Sequence, residues 1–184
     1  MQDIVKNTRN IMKQRGYNVK EQEKLEKNKI LLICEKGEGK SAETAQVLIL
    51  GEVETLGVAM VREIVKEMNK KKIKNKLIIG SGKVTRSAKN EMIANKIDFI
   101  PTQLVLMNIL EHEFVPKHEI ISPEEAKQIL EKYRITEDLL PNILDTDPVA
   151  KIIGAKPGDF VKITRKSATA GESVIYRLCV KGEE

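Results

Sequence analysis

Short apolar runs alternate with segments of helical periodicity through the first 109 residues of this 184-residue chain. Residues 30–34 and 45–50 are apolar runs joined by a short polar stretch, which predicts two buried strands of one hairpin. Residues 77–80 and 96–100 predict further buried strands, and residues 103–107 suit either a strand or a helix. Strands that are apolar on both faces and alternate with helices are typical of an α/β domain.

Three helices are predicted in the same part of the chain. Apolar residues over 4–15 lie at helical spacing, and Gly16 follows where a left-handed C-terminal cap is expected. The same spacing over residues 58–68 predicts a second helix, and residues 87–95 predict a short third one. Residues 20–28 form a polar segment rich in Lys and Glu.

The second part of the chain carries clear helix-start signals. Ser122 and Glu125 form a capping box with Pro123 at the first helical position, because hydroxyl and carboxylate can satisfy otherwise unpaired amides. This pattern predicts a helix that ends near Tyr133, and Thr136 is predicted to cap a short turn after it.

A third helix and a hairpin are predicted to complete this part. Asp147 is placed to cap a short helix that begins with Pro148 and ends at Gly154. Residues 160–166 and 174–180 are rich in β-forming residues and are joined by a loop of small residues, so they predict a hairpin. Together these elements predict a small α+β domain.

The two parts differ in charge. Residues 1–109 contain 21 Lys and Arg against 13 Asp and Glu, a net charge of +8, whereas residues 110–184 carry −3. A basic part suits contact with phosphates and an acidic part suits contact with protein, although a lysine-rich solvated surface gives the same count. Aromatic residues make up 3% of the chain, which argues against a stacking platform for single strands.

The cysteines and the apolar runs indicate the kind of environment. Cys34 and Cys179 each lie in an apolar run, so we expect two buried thiols, no disulfide framework and a reducing compartment. No apolar run approaches the roughly twenty residues that span a bilayer. The start of the sequence lacks the basic and apolar regions of a signal peptide. We therefore expect a soluble intracellular protein without a membrane partner.

Five blocks between residues 113 and 180 match one protein family in sequence, order and spacing. They closely resemble the small assembly subunit of archaeal RNA polymerases and its eukaryotic counterpart, the fifth-largest subunit shared by the nuclear RNA polymerases. The blocks are residues 113–118 (Glu-Phe-Val-Pro-Lys-His), 147–150 (Asp-Pro-Val-Ala), 154–159 (Gly-Ala-Lys-Pro-Gly-Asp), 161–167 (Val-Lys-Ile-Thr-Arg-Lys-Ser) and 171–177 (Gly-Glu-Ser-Val-Ile-Tyr-Arg).

The resemblance implies a fold and a function for each part. It implies a nuclease-like α/β jaw domain over residues 1–109 and an assembly domain over residues 110–184. The implied protein is a non-catalytic subunit of a multisubunit DNA-directed RNA polymerase without cofactor or metal. Its implied partners are the largest subunit, other polymerase subunits and downstream duplex DNA. It would be cytoplasmic in an archaeon, nuclear in a eukaryote, and in the virion or host cell if viral.

Residues 83–89 are the most DNA-like stretch of the first part. Three cations and two hydroxyls lie at the predicted start of a helix, where backbone amides also meet phosphates. The stretch is similar to a Thr-Pro-Ser-Ala loop of the nuclear subunit's jaw, with Arg86 in place of the proline. The expected DNA-proximal residues are Lys83, Thr85, Arg86, Ser87 and Lys89.

The carboxy-terminal resemblance implies a subunit-docking surface. It draws on the block that begins at Glu113 and on the first strand of the predicted hairpin. The residues expected to dock on the largest subunit are Pro116, Lys117, His118, Arg165, Lys166 and Ser167.

Two other functions remain open on sequence. Residues 37–41 (Gly-Glu-Gly-Lys-Ser) mimic the end of a phosphate-binding P-loop, but Cys34 replaces its first glycine and a β-like run follows instead of a helix. The rival enzyme is thus a P-loop nucleotide hydrolase, and the second rival is a free-standing DNA-binding module.

Other candidate active sites lack the required pattern. A nuclease would need an acid-x-Lys pair on a strand, and the pairs available are Glu38 with Lys40 in a turn and Glu125 with Lys127 on a predicted helix. His112 and His118 lack a third ligand for zinc. We therefore expect no catalytic residue and no metal site.

Overall fold

The computed structural model describes residues 2–25, 29–37, 42–51, 53, 55–69, 73–167 and 171–182. The chain forms two compact units, Met1–Met107 and Asn108–Glu184. The boundary that we placed between residues 109 and 110 lies two residues after this division. The whole chain is of the mixed α/β class expected from the sequence.

The first unit is built on a five-stranded mixed sheet with the strand order β1-β2-β3-β5-β7. The first three strands pair antiparallel, and β3, β5 and β7 pair parallel. A separate parallel pair joins β4 (Thr55–Leu56) to β6 (Lys83–Val84). The sheet strands are β1 (Asn18–Leu25), β2 (Lys29–Lys36), β3 (Glu43–Ile49), β5 (Asn75–Gly80) and β7 (Ile97–Pro101).

Four helices accompany this sheet. They are α1 (Gln2–Gln14), α2 (Val58–Asn69), α3 (Arg86–Ala94) and α4 (Thr102–Leu106). Helices α2 and α3 pack on one face, in a core that includes Leu31, Leu48, Val61, Ile64, Ile78, Ala88 and Met92. Alternate strand residues point to the opposite face, and these are also buried: Ile30, Leu32, Val47, Ile49, Leu77 and Ile79. Helices α1 and α4, which contact each other, β1 and β7, cover that face.

The predicted elements of the first unit are largely confirmed. The hairpin, the three helices and both further strands are present, and residues 103–107 belong mostly to a helix. Gly16 has φ +84°, as the C-terminal cap requires. Strand β1 (Asn18–Leu25) was not predicted, although it covers most of the polar segment of residues 20–28. Its side chains are mostly exposed, so it lacks the apolar alternation that signals a strand.

The second unit has a four-stranded sheet with the order β8-β10-β11-β9. Its strands are β8 (Lys117–Ile120), β9 (Asn142–Leu144), β10 (Phe160–Ser167) and β11 (Gly171–Val180). Strand β10 pairs antiparallel with both β11 and β8, and β9 pairs parallel with the end of β11. The helices are α5 (Pro123–Tyr133) and α6 (Pro148–Ile153). Residues of α6 join the sheet in a core of Ile143, Ala150, Ile153, Ala155, Val161, Ile163 and Cys179.

Two of the three predicted N-terminal caps, Ser122 and Asp147, are confirmed in their geometry. The hydroxyl of Ser122 accepts from the Glu125 amide at 3.2 Å. One carboxylate oxygen of Asp147 accepts from the amides of Val149 at 2.8 Å and Ala150 at 3.1 Å. Short 3-10 turns lie at Ile109–Glu111 and Glu137–Leu139; Thr136 precedes the second one but makes no side-chain cap hydrogen bond.

The hairpin is longer than predicted. Strand β10 continues to Ser167 and β11 begins at Gly171, so most of the predicted loop belongs to the strands. The short strands β8 and β9 were missed. No helix in the described ranges is both long and apolar enough to cross a membrane. Cys34 and Cys179 are buried free thiols, as expected.

Candidate functional sites

The basic loop, residues 83–89, is held at both ends by backbone pairing and a helix cap. Strand β6 pairs with β4, and the Thr85 amide donates to the Leu56 carbonyl at 3.2 Å. The Thr85 hydroxyl accepts from the Ala88 amide at 3.2 Å, which starts α3. The loop is therefore fixed by its own residues and by the strand beside it.

Arg86 occupies the first helical position of α3. Proline is favoured at this position because the amide there needs no helical partner. Arginine replaces the proline expected from the resemblance, and the helix starts at this residue. The substitution adds a cation without removing the Thr85 cap.

The cations of the basic loop have different exposure. Lys83 and Arg86 are exposed, and Lys89 is half-buried. In the described part of the chain, no carboxylate oxygen lies within 4 Å of the charged nitrogens of Lys83 or Arg86. The loop thus presents two solvated cations beside the first amides of a nine-residue helix, an arrangement that suits a phosphate contact without base recognition.

The six expected docking residues meet at one end of the sheet of the second unit. In the pairing of β8 with β10, His118 lies opposite Ile163 and Lys117 opposite Thr164. Arg165, Lys166 and Ser167 continue β10 beyond the end of β8, opposite Ser173, Glu172 and Gly171. Antiparallel pairing therefore brings together two segments that are almost fifty residues apart in sequence.

Side chains at this end are partly engaged within the unit. The His118 Nδ1 lies 2.7 Å from the Pro116 carbonyl oxygen, and the Lys117 ammonium lies 2.7 Å from the Glu119 carboxylate. Arg165 and Lys166 are exposed. The positive charge that a partner could meet at this end therefore comes mainly from Arg165 and Lys166 of β10. Lys117 and His118 lie in the edge strand β8, and Pro116 precedes it.

Three exposed apolar residues near this end were missed by sequence reasoning. Phe114 is 84% exposed, with its ring centroid 5.7 Å from that of His112. Val174 and Ile175 are 44% and 42% exposed although they lie in mid-strand on opposite faces of β11. Exposed apolar surface can mark a protein-contact site. All three residues lie in blocks that match the family, but nothing in the sequence indicates that they are exposed.

The rival sites are not assembled by the described residues. Gly37 follows β2, residues 38–41 lie outside the described ranges, and β3 begins at Glu43 where a P-loop requires a helix. Glu125 and Lys127 lie on α5, and the pair of Glu38 and Lys40 falls outside the described ranges. Within those ranges, no three His, Cys, Asp or Glu residues are placed to hold a metal ion.

Comparisons with known proteins match the second unit. Residues 107–179 match the family described as "RNA polymerase Rpb5, C-terminal domain". A protein of Archaeoglobus fulgidus named "DNA-directed RNA polymerase subunit Rpo5" is 61% identical over 70 residues, 38% of this chain and 92% of that protein. Proteins of the same name match from Sulfurisphaera tokodaii, at 54% identity over 39% of this chain and 86% of theirs, and from Methanosarcina acetivorans, at 57% over 40% and 95%.

Proposed function

Because this chain belongs to the Rpo5 family of DNA-directed RNA polymerase subunits, we propose that it is a non-catalytic polymerase subunit that docks on the largest subunit. The identity of 61% over 92% of an archaeal relative carries the proposal. The matching residues lie in the second unit, so docking is assigned to that unit.

The exposed hairpin end supports this assignment. Phe114 exposes an aromatic side chain shortly before β8, and Val174 exposes an aliphatic one opposite Thr164, the neighbour of Arg165 in β10. Protein interfaces combine such a core of aromatic and aliphatic side chains with a polar rim, and arginine is enriched in them. We assign docking to Phe114 and Val174 together with the six residues expected from the sequence.

The experiment is co-purification at native abundance, using the tagged full-length chain. We expect the largest polymerase subunit to be recovered with the wild-type protein. Phe114→Ala should weaken recovery, because truncation of an anchoring aromatic residue costs about 2 kcal/mol, roughly thirtyfold in affinity. Tyr133→Ala is the matched control, since Tyr133 is a 55% exposed aromatic residue on α5.

The outcomes separate the function from the position of the surface. Absence of the largest subunit from the wild-type preparation would overturn the proposed function. Equal recovery with wild type, Phe114→Ala and Tyr133→Ala would keep the function and remove Phe114 from the docking surface.

We assign the first unit to the jaw that lines downstream duplex DNA. The support is the +8 charge of residues 1–109 and the exposed cations of the basic loop. The contact would be with phosphates, so it would hold DNA without selecting a sequence. Polymerisation chemistry would belong to other subunits.

A further inference from the structure

A groove of about 530 Å³ opens in the first unit between α1 and the strands β1 and β2. Among the described residues, its lining combines apolar side chains with four cations and two amide side chains and includes no acidic residue. The apolar residues are Val5, Leu25 and Ile30, the cations are Lys6, Arg9, Lys24 and Lys29, and the amides are Gln2 and Gln22. The side chain of Leu25 packs against the core on the opposite face of the sheet, and Lys29 lies near Glu67 of α2 on that face too, so Val5 and Ile30 form the apolar floor.

The groove exists because β1 turns polar side chains toward α1. Gln22 and Lys24 lie opposite Leu32 and Ile30 of β2, on the face that α1 covers. The Arg9 guanidinium donates to the Gln22 side-chain oxygen at 2.7 Å and joins helix to strand. Because Gln22 and Lys24 are polar, they do not pack into the core. A groove therefore stays open between α1 and the edge strand β1.

The cations of the groove are only partly neutralised. Lys29 lies 3.8 Å from the Glu67 carboxylate. Lys6 and Lys24 are exposed. Among the residues that the structure describes, no carboxylate oxygen lies within 4 Å of either of their ammonium groups. An anionic ligand would therefore meet positive potential over an apolar floor.

We propose that this groove docks an acidic, amphipathic segment of another protein. An aliphatic side chain would occupy the floor formed by Val5 and Ile30, and its neighbouring carboxylates would pair with Lys6, Arg9 and Lys24. The bound segment would then make ion pairs and apolar contacts in the same groove.

Nucleic acid suits the groove less well. Single strands bind basic grooves by stacking bases on aromatic side chains, and none of the nine lining residues is aromatic. A duplex offers phosphates and no aliphatic group for the apolar floor. The acidic segment is the ligand that uses both halves of the lining.

The test uses the full-length protein labelled with ¹⁵N and a synthetic peptide of the repeat Asp-Glu-Leu. We expect amide shifts over the lining of α1, β1 and β2, and weaker binding as salt screens the charges. Two comparison peptides replace leucine by serine, or the acids by lysine. Single-stranded and duplex oligonucleotides of equal charge complete the series.

Charge reversal assigns the contact to the groove. Lys6→Glu with Lys24→Glu should weaken peptide binding at least tenfold. The matched control is Lys13→Glu with Lys66→Glu, which makes the same charge change at exposed lysines outside the groove. All four lysines are exposed, so the ¹⁵N spectra of both variants should remain dispersed.

Each alternative outcome overturns the proposal. Excess Asp-Glu-Leu peptide could cause no amide shifts, or the serine peptide could bind equally well. An oligonucleotide could bind more strongly at the same residues, or the two charge-reversal variants could lose peptide binding equally. Tenfold loss confined to the groove variant, with preference for the acidic leucine peptide, supports it.

Discussion

Asp147 shows how one side chain can start a helix in the second unit. Its carboxylate accepts two amide hydrogen bonds at the start of α6. Helix α6 in turn places Ala150 and Ile153 in the core. A local cap therefore supports packing across the sheet, and its spacing was readable from the sequence.

We expect Asp147→Ala to destabilise the second unit by about 0.5–2 kcal/mol, because two amides lose their partner. Asp147→Asn keeps a side-chain oxygen and should lose much less. The measurement is urea unfolding followed by NMR signals from β10 and β11. Equal midpoints for the two variants would contradict a capping role.

The two cysteines should be unreactive in the native protein. Burial raises the pKa of the Cys34 thiol to about 11, and burial with nearby aspartates raises the pKa of the Cys179 thiol to about 11. Both folded-state values exceed the ordinary thiol pKa, so the protonated thiols favour the folded state below the ordinary value. This contribution is lost as the pH rises toward 11.

Alkylation at pH 8 should thus be slow in native protein and fast after denaturation. Cys34→Ala and Cys179→Ala assign the rate to each thiol. A native rate equal to that of the unfolded chain would show that the thiols are not protected.

At the scale of elements, the sequence predicts the helices and strands whose buried apolar residues recur at a regular spacing. Helix α2 is an example, since its buried Val61, Ile64, Val65 and Met68 recur at helical spacing. Strand β1 was missed because its partner β2 supplies the pairing and its own side chains face mainly solvent. Strands β8 and β9 have four and three residues, too few for a period to be recognised.

The candidate sites also divide into features that the sequence predicts and features that it does not. The Thr85 cap fits the predicted helix start, and the docking segments come from matching blocks. The exposure of Val174 and Ile175 could not be predicted, because apolar residues in a strand ordinarily indicate a buried face. The groove beside α1 depends on the β1–β2 register, which follows from tertiary pairing.

The elements of the second unit should fold without the first. Strands β9, β10 and β11 and α6 share one core, against which Leu110 packs, and β8 pairs with β10. We expect a fragment of residues 108–184 to give a dispersed ¹⁵N spectrum and to unfold cooperatively. A collapsed spectrum at low temperature would show that this core needs further contacts.

For the whole molecule, the DNA assignment predicts an effect only in assembled polymerase. Replacing Lys83, Arg86 and Lys89 by alanine should make stalled elongation complexes shorter-lived and dissociate at lower salt, because phosphate contacts are lost. The measurement is complex lifetime across a salt series, after checking that the subunit is incorporated.

The control variant replaces Lys13, Lys66 and Lys74, which are exposed cations elsewhere in the first unit. It changes the net charge by the same amount and should leave lifetimes unchanged. Equal lifetimes for wild type and the basic-loop variant would remove this loop from the DNA path.

The division at residues 107 and 108 has a consequence for inheritance. Two archaeal relatives are matched over 92% and 95% of their length by a segment of 38% and 40% of this chain. Since each unit has its own hydrophobic core, loss of the first coding segment leaves the core residues of the second unit in place. Lineages can then vary the amino-terminal unit while selection preserves the part shared with those relatives.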